Sequence, residues 1–105
     1  MCTLRPLLLV VIIAAISLQP AFAAKDPQVV FREKCAMCHG KDGKAQTEMG
    51  KKLGAKDLTS SEAQSLTEAQ IQTQIAKGKG RMPGYEGILT DKEIREVVKY
   101  VKSLK

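Results

Sequence analysis

The chain opens on an unbroken apolar stretch and then changes character. Leu7 to Leu18 contains one polar residue, Ser17. Past Lys25 the apolar positions become sparse and fall at helical spacing. Asp26 followed by Pro27 is an N-cap with proline at the first helical position. Val30, Phe31, Lys34, Cys35 and Cys38 follow at helical spacing, which predicts a first helix stopped by Gly40 and Gly43. Residues 41 to about 58 are rich in Lys and Gly and predict a loop, with Leu53 and Leu58 as its inward contacts. A short helix is expected over about 60–65. Thr67-Glu68-Ala69-Gln70 has the capping-box pattern, Leu66, Ile71 and Ile75 supply an apolar side, and Gly78 is a C-cap. Thr90-Asp91-Lys92-Glu93 is a second capping box. After it Ile94, Val97, Val98, Val101 and Leu104 form one stripe of an amphipathic helix running to the C-terminus. There is no sustained period-two alternation, so the expected class is all-α.

The apolar opening has its own logic. Arg5 precedes it, Pro20 breaks it, and Ala21-Phe22-Ala23 places small residues where a signal peptidase reads. This is the layout of a secretory signal. Residues 1–23 are therefore expected to be a cleavable leader, and residues 24–105 an exported, periplasmic domain. The apolar run is shorter than the roughly 20 residues that span a bilayer, so an uncleaved membrane anchor is the second reading. Cys2 lies before the apolar run rather than after it, which argues against a lipoprotein.

Composition then asks for a cofactor. The 105 residues suit one domain and exclude folds with separate substrate and cofactor domains. Beyond the leader there is no Trp, and the aromatic residues are Phe31, Tyr85 and Tyr100. So small a domain with so thin a core usually needs a staple. The remaining cysteines stand together as Cys35-Ala36-Met37-Cys38-His39, and His39 is the chain's only histidine. That pattern reads as a c-type haem attachment site. Two thiols one helical turn apart can add across the two vinyl groups on one porphyrin edge, and the next imidazole then faces the iron. A Cys35–Cys38 disulfide, a thioredoxin-like redox pair and a zinc site compete for the same residues. The disulfide would close a tiny loop and leave the core thin. The redox pair would want a strand before it and a helix N-terminus under it. The zinc site lacks ligands.

A His-bound haem iron leaves one axial position, for which a Met thioether is a common partner that raises the potential. Met37 lies inside the Cys-x-x-Cys turn, and Met49 only ten residues past His39. Met82 lies farther on, in Gly78-Lys79-Gly80-Arg81-Met82-Pro83-Gly84-Tyr85, off any helical core spacing. Its glycines permit close approach of backbone to a flat ring. Met82 is therefore the expected distal ligand, with His39 proximal and Cys35 and Cys38 holding the haem covalently.

In these motifs, Cys35-Ala36-Met37-Cys38-His39-Gly40, then Gly78 to Pro83, then a terminal helix with Tyr100, the chain resembles a small bacterial class I cytochrome c. The likeness covers residues 26–105. It implies a class I cytochrome c fold, three to four helices around one covalent haem c, whose first and last helices cross with Phe31 against Tyr100 or Val97. It also implies a backbone carbonyl that accepts the proximal imidazole N–H. In the family a Gly-Pro pair supplies it; no Pro occurs between Gly40 and Lys79 here, and the carbonyl is expected near Gly50 to Leu53.

The function that follows is single-electron transfer between redox partners, with no catalysis and no small-molecule substrate. A haem enzyme or gas sensor with a labile distal ligand, and a haem-free thiol–disulfide protein, are the other classes. The formal charge is +6. Lys77, Lys79 and Arg81 lead into Met82, while Lys41, Lys44, Lys51 and Lys52 follow His39. Around a haem edge these would steer the protein onto acidic docking surfaces; otherwise they are an ordinary solvated face. Export and the absence of any nucleic-acid motif argue against a nucleic-acid partner. Membrane contact is expected only through partner complexes, or if the N-terminal segment is kept.

Overall fold

The computed structural model describes residues 10–16 and 25–105. Most of the expected leader lies outside the described residues; residues 10–16 carry no regular secondary structure. Among the described residues no helix is long and apolar enough to cross a membrane, and there is no strand, only two isolated bridges, Lys79 with Met82 and Glu86 with Leu89. The rest is helical: α1 (Pro27–Lys34), α2 (Ala36–His39), α3 (Glu48–Leu53), α4 (Ser61–Gln64), α5 (Glu68–Lys77) and α6 (Asp91–Ser103).

The ends of these helices are where the sequence places them. Asp26 accepts from the Gln28 backbone N–H, with Pro27 opening α1. Thr67 and Thr90 form complete capping boxes with Gln70 and Glu93. Each cap satisfies N–H groups that a helix start leaves unpaired. Gly40 and Gly78 close α2 and α5 at φ 77° and 79°, a region costly for residues with a Cβ.

Two boundaries differ from expectation. The first helix is interrupted at Cys35, whose φ is −114°. The Cys38 N–H consequently bonds the Cys35 carbonyl at 3.3 Å, a tight turn rather than a continued helix. The stretch expected to be loop contains α3, whose signals are polar rather than apolar. Thr47 caps it by accepting from the Gly50 N–H, Glu48 sits in its first turn, and Gly54 ends it in the left-handed region.

The core forms where α6 crosses α1 and α5. Val30, Phe31, Ile71, Ile75, Leu89, Ile94, Val97, Val98 and Val101 are buried together. Burying each such side chain stabilises by about 2 kcal/mol. Phe31 and Tyr100 meet at 5.1 Å between ring centroids with a 57° tilt, the geometry aromatic pairs favour. The expected crossing of first and last helices is thus present.

Polar clamps tie the middle segments to this frame. Gln64 Nε2 donates to the carbonyls of Leu58 and Val101 at 2.7 and 2.9 Å. Lys102 Nζ donates to the Gln64 and Leu66 carbonyls at 2.6 and 2.9 Å. Together they hold the segment around α4 against α6 and satisfy carbonyls at its end.

Candidate haem site

Cys35 occupies the break between α1 and α2, Cys38 lies in α2, and His39 ends it. All three are half-buried. Cys35 and Cys38 are not joined as a disulfide. Burial pushes the Cys35 thiol up to about 11. A thioredoxin-type nucleophile needs the opposite shift. Among the described residues no group of three or more His, Cys, Asp or Glu is arranged to hold a metal ion.

The turn carrying these residues is held from below by α3. The Thr47 hydroxyl lies 2.8 Å from the Met37 carbonyl and 3.0 Å from that of Cys38, and it accepts from the Gly50 N–H at 2.9 Å. One hydroxyl therefore both caps α3 and satisfies end carbonyls of α2. A Cβ built on Gly50 would stand 2.1 Å from the Cys38 carbonyl oxygen. The two backbones touch, and only glycine permits it.

His39 Nδ1 lies 2.9 Å from the Lys56 carbonyl oxygen. A carbonyl only accepts, so Nδ1 carries the proton and Nε2 keeps its lone pair. Such a bond fixes the ring and makes the free nitrogen a better metal donor. The partner is Lys56, not a residue of the Gly50–Leu53 stretch. That stretch is α3, and its carbonyls point along the helix. The chain must leave α3 through Gly54, at φ 69°, before a carbonyl can turn to the ring. The Ala55 N–H holds that exit by donating to the Gly50 carbonyl at 2.8 Å. Asp57 and Ser60 brace the next turn. The Asp57 carboxylate accepts from the Thr59 N–H and hydroxyl at 2.8 and 2.6 Å, and the Ser60 hydroxyl donates to the Asp57 carbonyl at 2.8 Å.

The three candidate methionines separate by environment. Met37 is 71% exposed and Met49 40% exposed. Met82 is half-buried and packs against the core cluster, together with Cys35, Leu58, Leu66 and Tyr85. Its loop is closed by reciprocal bonds between Lys79 and Met82, at 3.1 and 3.0 Å. The flanking glycines are also required by the fold itself. A Cβ on Gly78 would meet the Met82 carbonyl at 2.6 Å, and one on Gly84 the Ala76 carbonyl at 2.7 Å. They let the loop fold back on the end of α5.

The basic residues do not act as one set. Lys77 pairs with Glu86 at 2.6 Å, and Lys41 lines, with Arg32, a shallow cavity of about 660 Å³ that includes neither cysteine nor His39. The Arg81 guanidinium donates to the Lys52 carbonyl at 3.3 Å. That contact brings Arg81 of the Met82 loop beside Lys52 of α3.

These residues fit a covalently attached haem. The site offers two thiols on one turn and an imidazole already fixed in the ligating tautomer. Leu58, Leu66, Met82 and Tyr85 are half-buried, apolar surface that a flat ring would cover.

Known proteins agree. Residues 22–101 match the family described as cytochrome C oxidase, cbb3-type, subunit III. Cytochrome c6 of Rippkaea orientalis is 36% identical over 96 residues, 89% of this chain and 84% of the relative. Cytochrome c6 of Leptolyngbya boryana is 39% identical over 72 residues, 69% of this chain and 81% of the relative. Among solved structures, the KustC0563 c-type cytochrome superposes with a TM-score of 0.71 at 30% identity, over 76% of this chain and 98% of that one. Diatom cytochrome c6 from Phaeodactylum tricornutum superposes at 0.54 and 32% identity, over 74% of this chain and 88% of that one. The chain belongs to the small class I c-type cytochromes, electron-transfer proteins that carry one covalently bound haem c.

Proposed function

We propose that Cys35 and Cys38 form the two thioethers to haem, that His39 and Met82 are its axial ligands, and that the protein is an exported electron carrier rather than a catalyst. Residues 1–23 act as a cleaved leader, and residues 24–105 work in the periplasm. The observation that carries this reading is the bond from His39 Nδ1 to the Lys56 carbonyl. It fixes the ring and leaves the Nε2 lone pair available to a metal. Haem c, when bound, supplies a one-electron couple between ferric and ferrous iron. The chain keeps that exchange cheap in reorganisation. Thr47, Gly50 and Lys56 hold the proximal turn rigid, and Lys79 and Met82 bond each other in the distal loop. With both His39 and Met82 holding the iron, no position would be left open to a substrate.

Lys51, Lys52, Lys79 and Arg81 form the docking edge for a redox partner with an acidic surface. Their charge speeds encounter and is screened by salt. Transfer rates should fall as ionic strength rises; a rate indifferent to salt removes this edge from the account.

The test is holoprotein made in a host with haem-attachment machinery, wild type beside Met82→Ala. The expected mass is polypeptide plus one haem in both. The variant should lose the sulfur-to-iron charge-transfer band and fall in potential. A variant with band and potential unchanged would show that Met82 is not the ligand.

A further inference from the structure

Tyr85 stands outside the proposed ligand set, yet it joins the two halves of the site. Its hydroxyl donates to the Lys34 carbonyl at 2.9 Å, across 51 residues of sequence. Lys34 is the last residue of α1 and immediately precedes Cys35. Tyr85 comes three residues after Met82.

The bond exists because of the break at Cys35. In a continuous helix the Lys34 carbonyl would accept from the Cys38 N–H. That N–H turns to the Cys35 carbonyl instead, so the Lys34 oxygen is left without its helical partner and the phenol supplies one. The main chain of Tyr85 is anchored elsewhere. Its N–H donates to the Ile75 carbonyl at 2.9 Å, and its carbonyl accepts from Ile88 and Leu89 at 3.0 and 2.9 Å. Backbone thus binds the residue to the end of α5, and side chain binds it to the haem-bearing turn. Tyr85, like Cys35 and Met82, packs against the core cluster. Burial raises the phenol's pKa, which keeps the hydroxyl a donor.

We infer that Tyr85 is a positioning residue, a strap whose phenol fixes the Met82 loop to the α1–α2 junction and so resists displacement of Met82 by outside ligands. This rests on the reading of Met82 as the distal ligand. The strap acts by geometry. Pro83 and Gly84 separate Met82 from Tyr85, proline is rigid, and Gly84 is pinned against the end of α5. With so short and stiff a link, holding the Tyr85 ring to the Lys34 carbonyl ties the Met82 loop to the α1–α2 junction.

The experiment titrates ferric holoprotein with imidazole and follows the shift of the main haem absorption band, which all four proteins carry. Four proteins are compared: wild type, Tyr85→Phe, Tyr100→Phe and Met82→Ala. Tyr85→Phe removes one oxygen and leaves ring and backbone in place. If the strap bond is lost whenever Met82 is displaced, imidazole should bind the variant about five-fold more tightly, the equivalent of about 1 kcal/mol. Tyr100→Phe deletes the same atom from the ring that stacks on Phe31, and should bind as wild type does. Thermal unfolding run in parallel separates ligand displacement from loss of fold. Equal imidazole affinity in Tyr85→Phe and wild type overturns the inference. Equal tightening in Tyr85→Phe and Tyr100→Phe also overturns it, since that marks general loosening. If Met82→Ala binds imidazole no better than wild type, Met82 is not the ligand and both readings fall. Tight binding by Met82→Ala with Tyr85→Phe unchanged sinks the strap alone.

Discussion

Gly50→Ala is the substitution most damaging to the site for its size. The added methyl would stand 2.1 Å from the Cys38 carbonyl oxygen and 2.9 Å from the Thr47 hydroxyl. Ordinary contact needs well over 3 Å, so α3 must withdraw by about 1 Å. A shift of that size breaks the Thr47 bonds to the Met37 and Cys38 carbonyls, now 2.8 and 3.0 Å. Losing a shared hydroxyl bond costs about 1 kcal/mol, and overpacking against backbone adds about 1–3 kcal/mol. The expected loss is about 3 kcal/mol, a large share of a small domain's stability. The Ala55 N–H follows the Gly50 carbonyl, so Lys56 moves as well and His39 loses its acceptor. A less electron-rich imidazole favours the ferrous state, and the potential should rise. The comparison is Gly54→Ala, where a Cβ meets nothing within 4 Å and only the φ of 69° is strained; it should cost about 1 kcal/mol. Urea unfolding and potentiometry on the holoproteins decide the matter. If Gly50→Ala unfolds and is reduced as Gly54→Ala is, the close packing of α3 on the haem turn does not do what is claimed for it.

Three further outcomes follow from local geometry. Thr90→Ala deletes the hydroxyl that accepts from the Glu93 N–H at 3.1 Å and should cost about 1 kcal/mol in urea unfolding. Ala45 is a non-glycine residue at φ 56°; Ala45→Gly relieves that strain against a smaller gain in unfolded-state entropy, and should raise stability by about 0.5 kcal/mol. The Asp57 carboxyl is held below its ordinary range by hydrogen bonds from Thr59. A depressed carboxylate stabilises the fold above the unfolded pKa, and that contribution disappears as pH falls through the folded value. The wild-type melting temperature should therefore drop on acidification below about pH 4, and drop less in Asp57→Asn, which keeps an oxygen acceptor but does not titrate.

Much of the frame was legible because its signals are local. Asp26, Thr67 and Thr90 announce helix starts within four residues, and the stripe from Ile94 to Leu104 needs only its own spacing. Cys35, Cys38 and His39 are adjacent, so their chemistry can be read without a fold. The sequence of α3 resembles loop because its apolar side is only Met49 and Leu53; its helical signals are the cap Thr47, the small residue Gly50 and the stop Gly54. The seven basic residues flank the site in sequence, but Lys77 is paired with Glu86 and Lys41 lines a cavity that contains neither cysteine nor His39.

Sequence alone determined the starts of α1, α5 and α6 and the covalent attachment motif, because each depends on residue type and short-range spacing. Tertiary structure alone decided that Lys56 holds the imidazole, that Gly50 lets α3 touch the haem turn, and that Tyr85 reaches Lys34. Those contacts join segments 12 to 51 residues apart. They are made by backbone carbonyls, which every residue carries and no side-chain pattern can mark.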